Sequence, residues 1–231
     1  MRQGSAFAIG LLAAVFVSAL PAAQEQQDAD RKVAGGGVTV KGWQGKADAG
    51  NRQGLTVNDA RFASEGSGIR LTTGPAALYW NPANTGAGDY TVQATFTEAK
   101  QTYNHPHPFG VFIGGANLDS DAQNALYCAA YRNGTYIIRM FSAGKRVDVV
   151  GRPTAHDAVK KAATPETEVV QEVGWQVKGD SVACLINGTA VWTGTKADVT
   201  GPGKLSSTDG IAGIRVSHNS DAVVTNFAVK K

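Results

Sequence analysis

Two turn dipeptides, Gly179-Asp180 and Asn187-Gly188, separate short apolar runs, and that spacing constrains the chain more than any other feature. Two-residue connections join antiparallel strands, and Asn-Gly is the strong type I′ spelling. Pairing outward from Gly179-Asp180 sets Val177 opposite Val182, Trp175 opposite Cys184 and Val173 opposite Ile186. Side chains alternate along a strand, so these six share one face, and that face is core. The other face carries Gly174, Gln176, Ala183 and Leu185. Pairing outward from Asn187-Gly188 sets Val191 opposite Cys184 on the core face and Trp192 opposite Ala183 on the other.

The same grammar runs from Trp43 onward, with turn signals roughly every 8–12 residues, as sandwiches and barrels show. Strands are expected at 61–64, 69–73, 77–80, 90–98, 109–113, 125–131, 135–141, 147–150, 169–177, 182–186, 190–193, 211–217 and 222–229. One helix is expected over Ala155–Ala163, capped by Thr154 and followed by Pro165. A third hairpin turns at Asn133-Gly134. Read as a two-residue turn, it puts Tyr127, Ala129, Tyr131, Tyr136, Ile138 and Met140 on one face. Leu126, Cys128, Ala130, Ile137, Arg139 and Phe141 fall on the other.

The start of the chain reads as an export signal over residues 1–23: Arg2, an apolar run from Ala6 to Leu20, then Pro21-Ala22-Ala23. That run is shorter than the roughly 20 apolar residues a membrane span needs. A secreted or periplasmic location is expected. Residues 24–40, polar and ending in Gly35-Gly36-Gly37, read as a flexible linker, and 41–231 as one β domain. The net charge of +3 comes with no basic run, which argues against a nucleic-acid partner. Cys128 and Cys184 are the two cysteines. An oxidising compartment favours a disulfide between them, and two buried thiols are the other reading. If they meet in the core, tyrosines line the opposite face.

The stretch from Glu172 to Trp192 resembles the W-x-V-x-G … N-G-x-x-V hairpins of concanavalin A-like and laminin G-like domains. The ending Gly210 to Val229 resembles their closing G-x-x-G-L-R-V … N-F-x-V strands, a pairing also found in 3-keto-disaccharide hydrolase-like domains. The resemblance covers Trp43 to Val229 and rests on packing and turn residues. It implies an all-β, two-sheet antiparallel jelly-roll sandwich with a concave, ligand-facing sheet. Lectins, sugar-binding modules and glycan-cleaving enzymes share that fold, so it fixes no activity. The glucanase Glu-x-Asp-x-x-Glu strand is absent, and the acidic cluster Glu166, Glu168 and Glu172 lacks its spacing. A retaining glycosidase needs two carboxyls about 5–5.5 Å apart.

Several constellations are candidates for binding. His105 and His107 alternate with prolines, which hold the chain extended and send both rings to one side. Together they suit sugar hydroxyls or a metal, or they merely lead into a buried strand. A catalytic zinc wants three protein ligands, and only His156 and His218 remain as further histidines. Tyr79, Trp80 and Asn81 set two aromatics beside an amide, the mix that holds a polar ring in an apolar cleft. Adjacent strand residues point opposite ways, so one of the two aromatics is core. Asp119, Asp121 and Asn124 offer oxygens to calcium but miss the EF-hand pattern. The span Gly144–Glu172 is long for a connection and reads as a lid or a solvated insertion.

The expectation is therefore a monomeric, exported carbohydrate-binding module without catalysis and without a cofactor, calcium excepted. Its glycan or small-sugar site comprises Tyr79, Trp80, Asn81, His105, His107, Tyr127, Tyr131 and Arg139. One alternative is a glycoside-cleaving enzyme with His105 or His107 as acid/base beside Asp121 or Glu98. A structural or adhesive module is the other.

Overall fold

The computed structural model describes Met1, residues 29–51 and residues 53–231. Past Met1, the expected export signal lies outside the described residues, as does the linker up to residue 28. In chain order the strands are β1 (Gly37–Val38), β2 (Gln44–Ala47), β3 (Arg61–Glu65), β4 (Gly68–Thr72) and β5 (Ala77–Gly86). Then come β6 (Tyr90–Glu98), β7 (Phe109–Ala116), β8 (Asn124–Ala130), β9 (Thr135–Ser142) and β10 (Lys145–Ala155). The last five are β11 (Val169–Lys178), β12 (Ser181–Ile186), β13 (Thr189–Thr195), β14 (Gly210–Val216) and β15 (Asp221–Lys230). One helical turn, α1 (Lys196–Val199), follows β13.

The strands form an eight-stranded sheet, β1-β3-β4-β15-β6-β11-β12-β13, and a seven-stranded sheet, β10-β9-β8-β7-β14-β5-β2. Neighbours run antiparallel except in the short β1–β3 pair. Every strand expected from the pattern is present. β1 and β2 are additional, and their Gly-Val and Gln-Gly-Lys-Ala sequences carry little strand signal of their own. β5 runs past Pro82 because β2 pairs only with Ala77–Trp80, which leaves no ladder bond there for the missing N–H.

The sheets close on one core that includes Phe62, Phe96, Phe109, Ile138 and Trp175. Two ties cross it side by side. Trp175 and Cys184 are paired neighbours in the larger sheet, and Val111 and Cys128 are paired neighbours in the smaller. Cys128 and Cys184 form a disulfide with Cα atoms 6.2 Å apart. The Trp175 Nε1–H donates to the Val111 carbonyl at 3.2 Å. The β11–β12 hairpin has the expected register at all three core pairs.

Two other hairpins depart by one residue. At Asn133-Gly134 the closing bond is Tyr131 N–H to Thr135 carbonyl, 2.8 Å, so three residues form the loop and Gly134 takes φ 88°. This is the three-residue hairpin with a left-handed glycine. An odd loop slides the pairing, giving Ala130–Tyr136, Cys128–Ile138 and Leu126–Met140. Tyr136 therefore belongs to the core, where its hydroxyl donates to the Val191 carbonyl at 2.8 Å. Ile137 joins Tyr127 on the opposite face. After Asn187-Gly188 a bulge intervenes, so Trp192 rather than Val191 stands opposite Cys184. Val191 stays buried, and Trp192 packs edge-on against Trp175 at 6.2 Å.

The helix expected over Ala155–Ala163 does not form. Tertiary partners claim its backbone groups, overriding local propensity. The Lys160 N–H donates to Gln171 Oε1 at 3.0 Å, and the Ala162 N–H to the Arg132 carbonyl at 2.7 Å. Asn187 Nδ2 donates to the Ala158 carbonyl at 2.7 Å and to Gln171 Oε1 at 3.0 Å. The span read as a lid is thus the edge strand β10 followed by a strap pinned to the larger sheet. Residues 29–40, read as linker, are also held down. Arg31 donates from Nε to the Thr73 carbonyl at 2.8 Å and from Nη2 to the Ser220 carbonyl at 2.9 Å, and β1 pairs with β3.

At one end of the sandwich Glu98 and Arg132 form a buried ion pair, Nη1 to Oε2 3.6 Å. Burial pushes the Glu98 carboxyl up to about 7, and Arg132 offsets only part of that.

Two predictions follow from these contacts. Replacing both Cys128 and Cys184 by Ala removes a cross-link spanning 56 residues, and the denaturant midpoint should fall by the equivalent of about 2–4 kcal/mol. An unchanged midpoint would mean that Trp175 and its neighbours hold the sheets without the bridge. For Glu98 the folded state favours the proton, so its contribution is fully present below the ordinary value of 4.5 and is lost as pH rises through about 7. Urea midpoints at about pH 5 and about pH 8 should diverge more for the native chain than for Glu98→Gln. Equal divergence would show that another group sets the slope.

Candidate binding face

The seven-stranded sheet has a second apolar side, turned away from the other sheet. Reading sideways through the pairings from the edge strand β10 gives one residue per strand: Asp148, Arg139, Tyr127, Phe112, Gly213, Trp80 and Gln44. The adjacent row runs Ile137, Ala129, Gly110, Arg215, Leu78 and Lys46. Directly paired residues share a face. Their apolar members form a cluster separate from the core, with Phe141 inside it and Tyr131 at its margin. Five strand steps separate Asp148 from Trp80, a span of about 24 Å. Gly213 keeps the row flat: a Cβ there would lie 2.6 Å from the Phe112 ring.

Two arginines lie on this face. The Arg215 guanidinium sits 5.0 Å from the Tyr127 centroid and 5.3 Å from that of Phe141. It forms a two-pronged pair with Asp48, Nη2 to Oδ2 2.6 Å. Burial opposes its charge, but Asp48 and its hydrogen bonds outweigh that, so the guanidinium pKa lies above its ordinary value. Arg139 is half-buried. Its Nε lies 2.9 Å from Asp148 Oδ1, and its Nη2 donates to the Gly151 carbonyl at 2.8 Å. Burial pushes the Tyr131 phenol up, with Arg139 offsetting part of the shift. The aromatics of the row, Trp80, Phe112 and Tyr127, are buried, and the accessible polar groups lie at its margin: Tyr131, Arg139 and Asp148.

Of the expected site residues, Trp80, Tyr127 and Arg139 share one row, and Tyr131 ends the same strand face at β8. Tyr79 points the other way, into the core, where it stacks on Phe62 at 4.5 Å. Burial pushes its phenol up, and its hydroxyl has no partner. Asn81 has the same parity as Tyr79, and its Oδ1 accepts from the Ala83 N–H at 3.0 Å. The histidines lie elsewhere, in the 99–108 connection against the turn after β14. His105 and His107 do project together, Nε2 to Nε2 2.9 Å. His107 also stacks on His218 at 4.4 Å, and His218 Nδ1 lies 2.7 Å from Asp30 Oδ1. His107 is buried in this plug.

Two of the three calcium candidates are engaged elsewhere. Asp121 pairs with Lys46 at 2.9 Å, Asn124 Oδ1 accepts from the Ala143 N–H, and Asp119 is exposed. Among the described residues no three His, Cys, Asp or Glu side chains are grouped to hold a metal ion. Phe112, Phe141, Asp48, Asp148 and Arg215 were not anticipated. The readable signal was a lone arginine inside each of two apolar strands, Ile138-Arg139-Met140 and Ile214-Arg215-Val216. In an alternating strand such a residue faces away from the core.

No family model matches this chain, and neither does any curated protein. Solved structures do. The carbohydrate-binding module CBM66 from Bacillus subtilis superposes with a TM-score of 0.56 at 12% identity, covering 82% of this chain and 96% of that one. A Bacillus subtilis protein with a galectin-like fold gives 0.55 at 15% identity, covering 83% and 90%. Sheet pairing and these superpositions agree: the chain has a two-sheet antiparallel β-sandwich similar in fold to these two proteins.

Proposed function

We propose that this protein binds a glycan on the outer face of its seven-stranded sheet and does not cleave it. The observation that carries the reading is the accessible margin of that face, where Asp148, Arg139 and Tyr131 lie together beside the buried row of Tyr127, Phe112 and Trp80. A half-exposed phenol, Tyr131, beside an arginine and a carboxylate suits the apolar face and the hydroxyls of a sugar. The similar fold of a carbohydrate-binding module supports the same reading.

The carboxylates argue for binding alone. Asp48 follows β2 and Asp148 lies within β10, the opposite edges of the sheet, and each is engaged by an arginine. A retaining glycosidase needs its two carboxyls about 5–5.5 Å apart, and an acid catalyst needs a raised pKa. The carboxyl that is raised, Glu98, is paired with Arg132 inside the sandwich end. Export is part of the proposal. The Cys128–Cys184 bridge supports it, because such bonds persist in oxidising compartments.

A glycan array on the protein, run with calcium and again with EDTA, is the direct test. Saturable binding to one glycan class is expected, and silence in both conditions would overturn the proposal. With a hit in hand, Arg139→Ala and Tyr131→Ala should each weaken binding about tenfold or more, the cost of a lost charge-assisted hydrogen bond or stacking contact. Tyr79→Phe should leave affinity unchanged and stability equal or higher, because it deletes a buried hydroxyl without a partner. Lost binding in Tyr79→Phe alone would place the site on the wrong side of the sheet.

A further inference from the structure

The sandwich opens along one seam, where the edge strands β10 and β13 belong to different sheets and do not pair. A cleft of about 450 Å³ lies there, lined by Val147 and Asp148 on one side and by Trp192, Gly194, Asp198 and Lys204 on the other. Trp192 is half-buried and held from two directions. Its ring stands edge-on to Trp175, and it lies so close over Gly194 that a Cβ there would fall 2.5 Å from Cη2. The polar groups are also fixed. Asp198 Oδ2 accepts from the Thr195 N–H at 2.7 Å and from its hydroxyl at 2.9 Å, and these bonds keep the carboxyl below its ordinary pKa. Lys204 Nζ donates to the Ala197 carbonyl at 3.0 Å. A restrained indole beside a fixed carboxylate and ammonium binds with little further ordering cost.

Asp148 belongs to both places: it starts the row on the outer face and it lines this cleft. We infer that the cleft is a distal sugar subsite, in which Trp192 stacks on a unit of the same glycan after the chain has turned around the β10 edge at Asp148. The inference rests on the outer face being the glycan site and extends it: the ligand class is an oligosaccharide long enough to leave the sheet. Trp192 presents the stacking surface. Asp198 accepts from hydroxyls, and Lys204 donates to them. The bulge at Val191 makes this possible, because without it Trp192 would face away from the seam.

The test uses the intact protein with uniform ¹⁵N labelling, titrated separately with cello-, laminari- and xylo-oligosaccharides from disaccharide to hexasaccharide. Trp192→Phe assigns the Trp192 indole N–H signal. Short sugars should move signals of Tyr131 and Arg139 only, and the hexasaccharide of the bound class should move Trp192 as well. Trp192→Phe should weaken hexasaccharide binding about tenfold, or ~1.4 kcal/mol, and leave disaccharide binding unchanged. Gly194→Val, which pushes the indole out of place while retaining it, should reproduce that split even if Trp192→Phe loosens β13. Response at Tyr131 and Arg139 for every length, with Trp192 silent throughout, would overturn the distal subsite and leave the binding face standing. A panel that moves neither set would overturn both.

Discussion

Two bonds that cross the core at adjacent positions hold the two sheets in one alignment, on which the rest of the structure depends. A sheet can slide over another sheet with little loss of apolar contact, because hydrophobic burial has no direction. The Cys128–Cys184 bridge and the Trp175–Val111 hydrogen bond remove that freedom, since each joins a neighbouring pair in one sheet to a neighbouring pair in the other. Once Cys128 and Val111 point inward, alternation sends Tyr127 and Phe112 outward. The face proposed for binding is therefore a consequence of how the core is locked.

That dependence explains why local pairing could be read from the sequence and the site only in fragments. The β11–β12 hairpin was legible because its turn has two residues and both flanking strands alternate cleanly. The β8–β9 hairpin was misread because Asn133-Gly134 looks like the same device, yet the loop closes from Tyr131 to Thr135. One residue of difference carried Tyr136 into the core and brought Ile137 out. The bulge at Val191 misplaced Trp192 in the same way, and no residue in Thr189–Thr195 announces it.

The row on the outer face runs at right angles to the chain. Trp80, Phe112, Tyr127, Arg139 and Asp148 come from five strands, and nothing in the order of residues says that β14 lies between β5 and β7. Tyr79 and Trp80 show the limit well. Adjacent residues had to face opposite ways, but only the position of β5 relative to the core says which one is buried between the sheets. Similarly, the alanine-rich run before Pro165 has helical propensity that loses to Gln171, Asn187 and Arg132, all distant in sequence or on other strands.

The grip on Asn187 bears on how this protein ages. Asn-Gly is the dipeptide most prone to spontaneous loss of the side-chain amide, and here that amide is held as a donor to two oxygens, the Ala158 carbonyl and Gln171 Oε1. Holding it there restrains the rotation that brings the side chain onto the next peptide nitrogen, so the turn is chemically quieter than its spelling suggests. Were the amide nevertheless hydrolysed, a carboxylate would face those same two oxygens with nothing to donate. The strap would then lose its hold at Ala158 and keep those at Lys160 and Ala162.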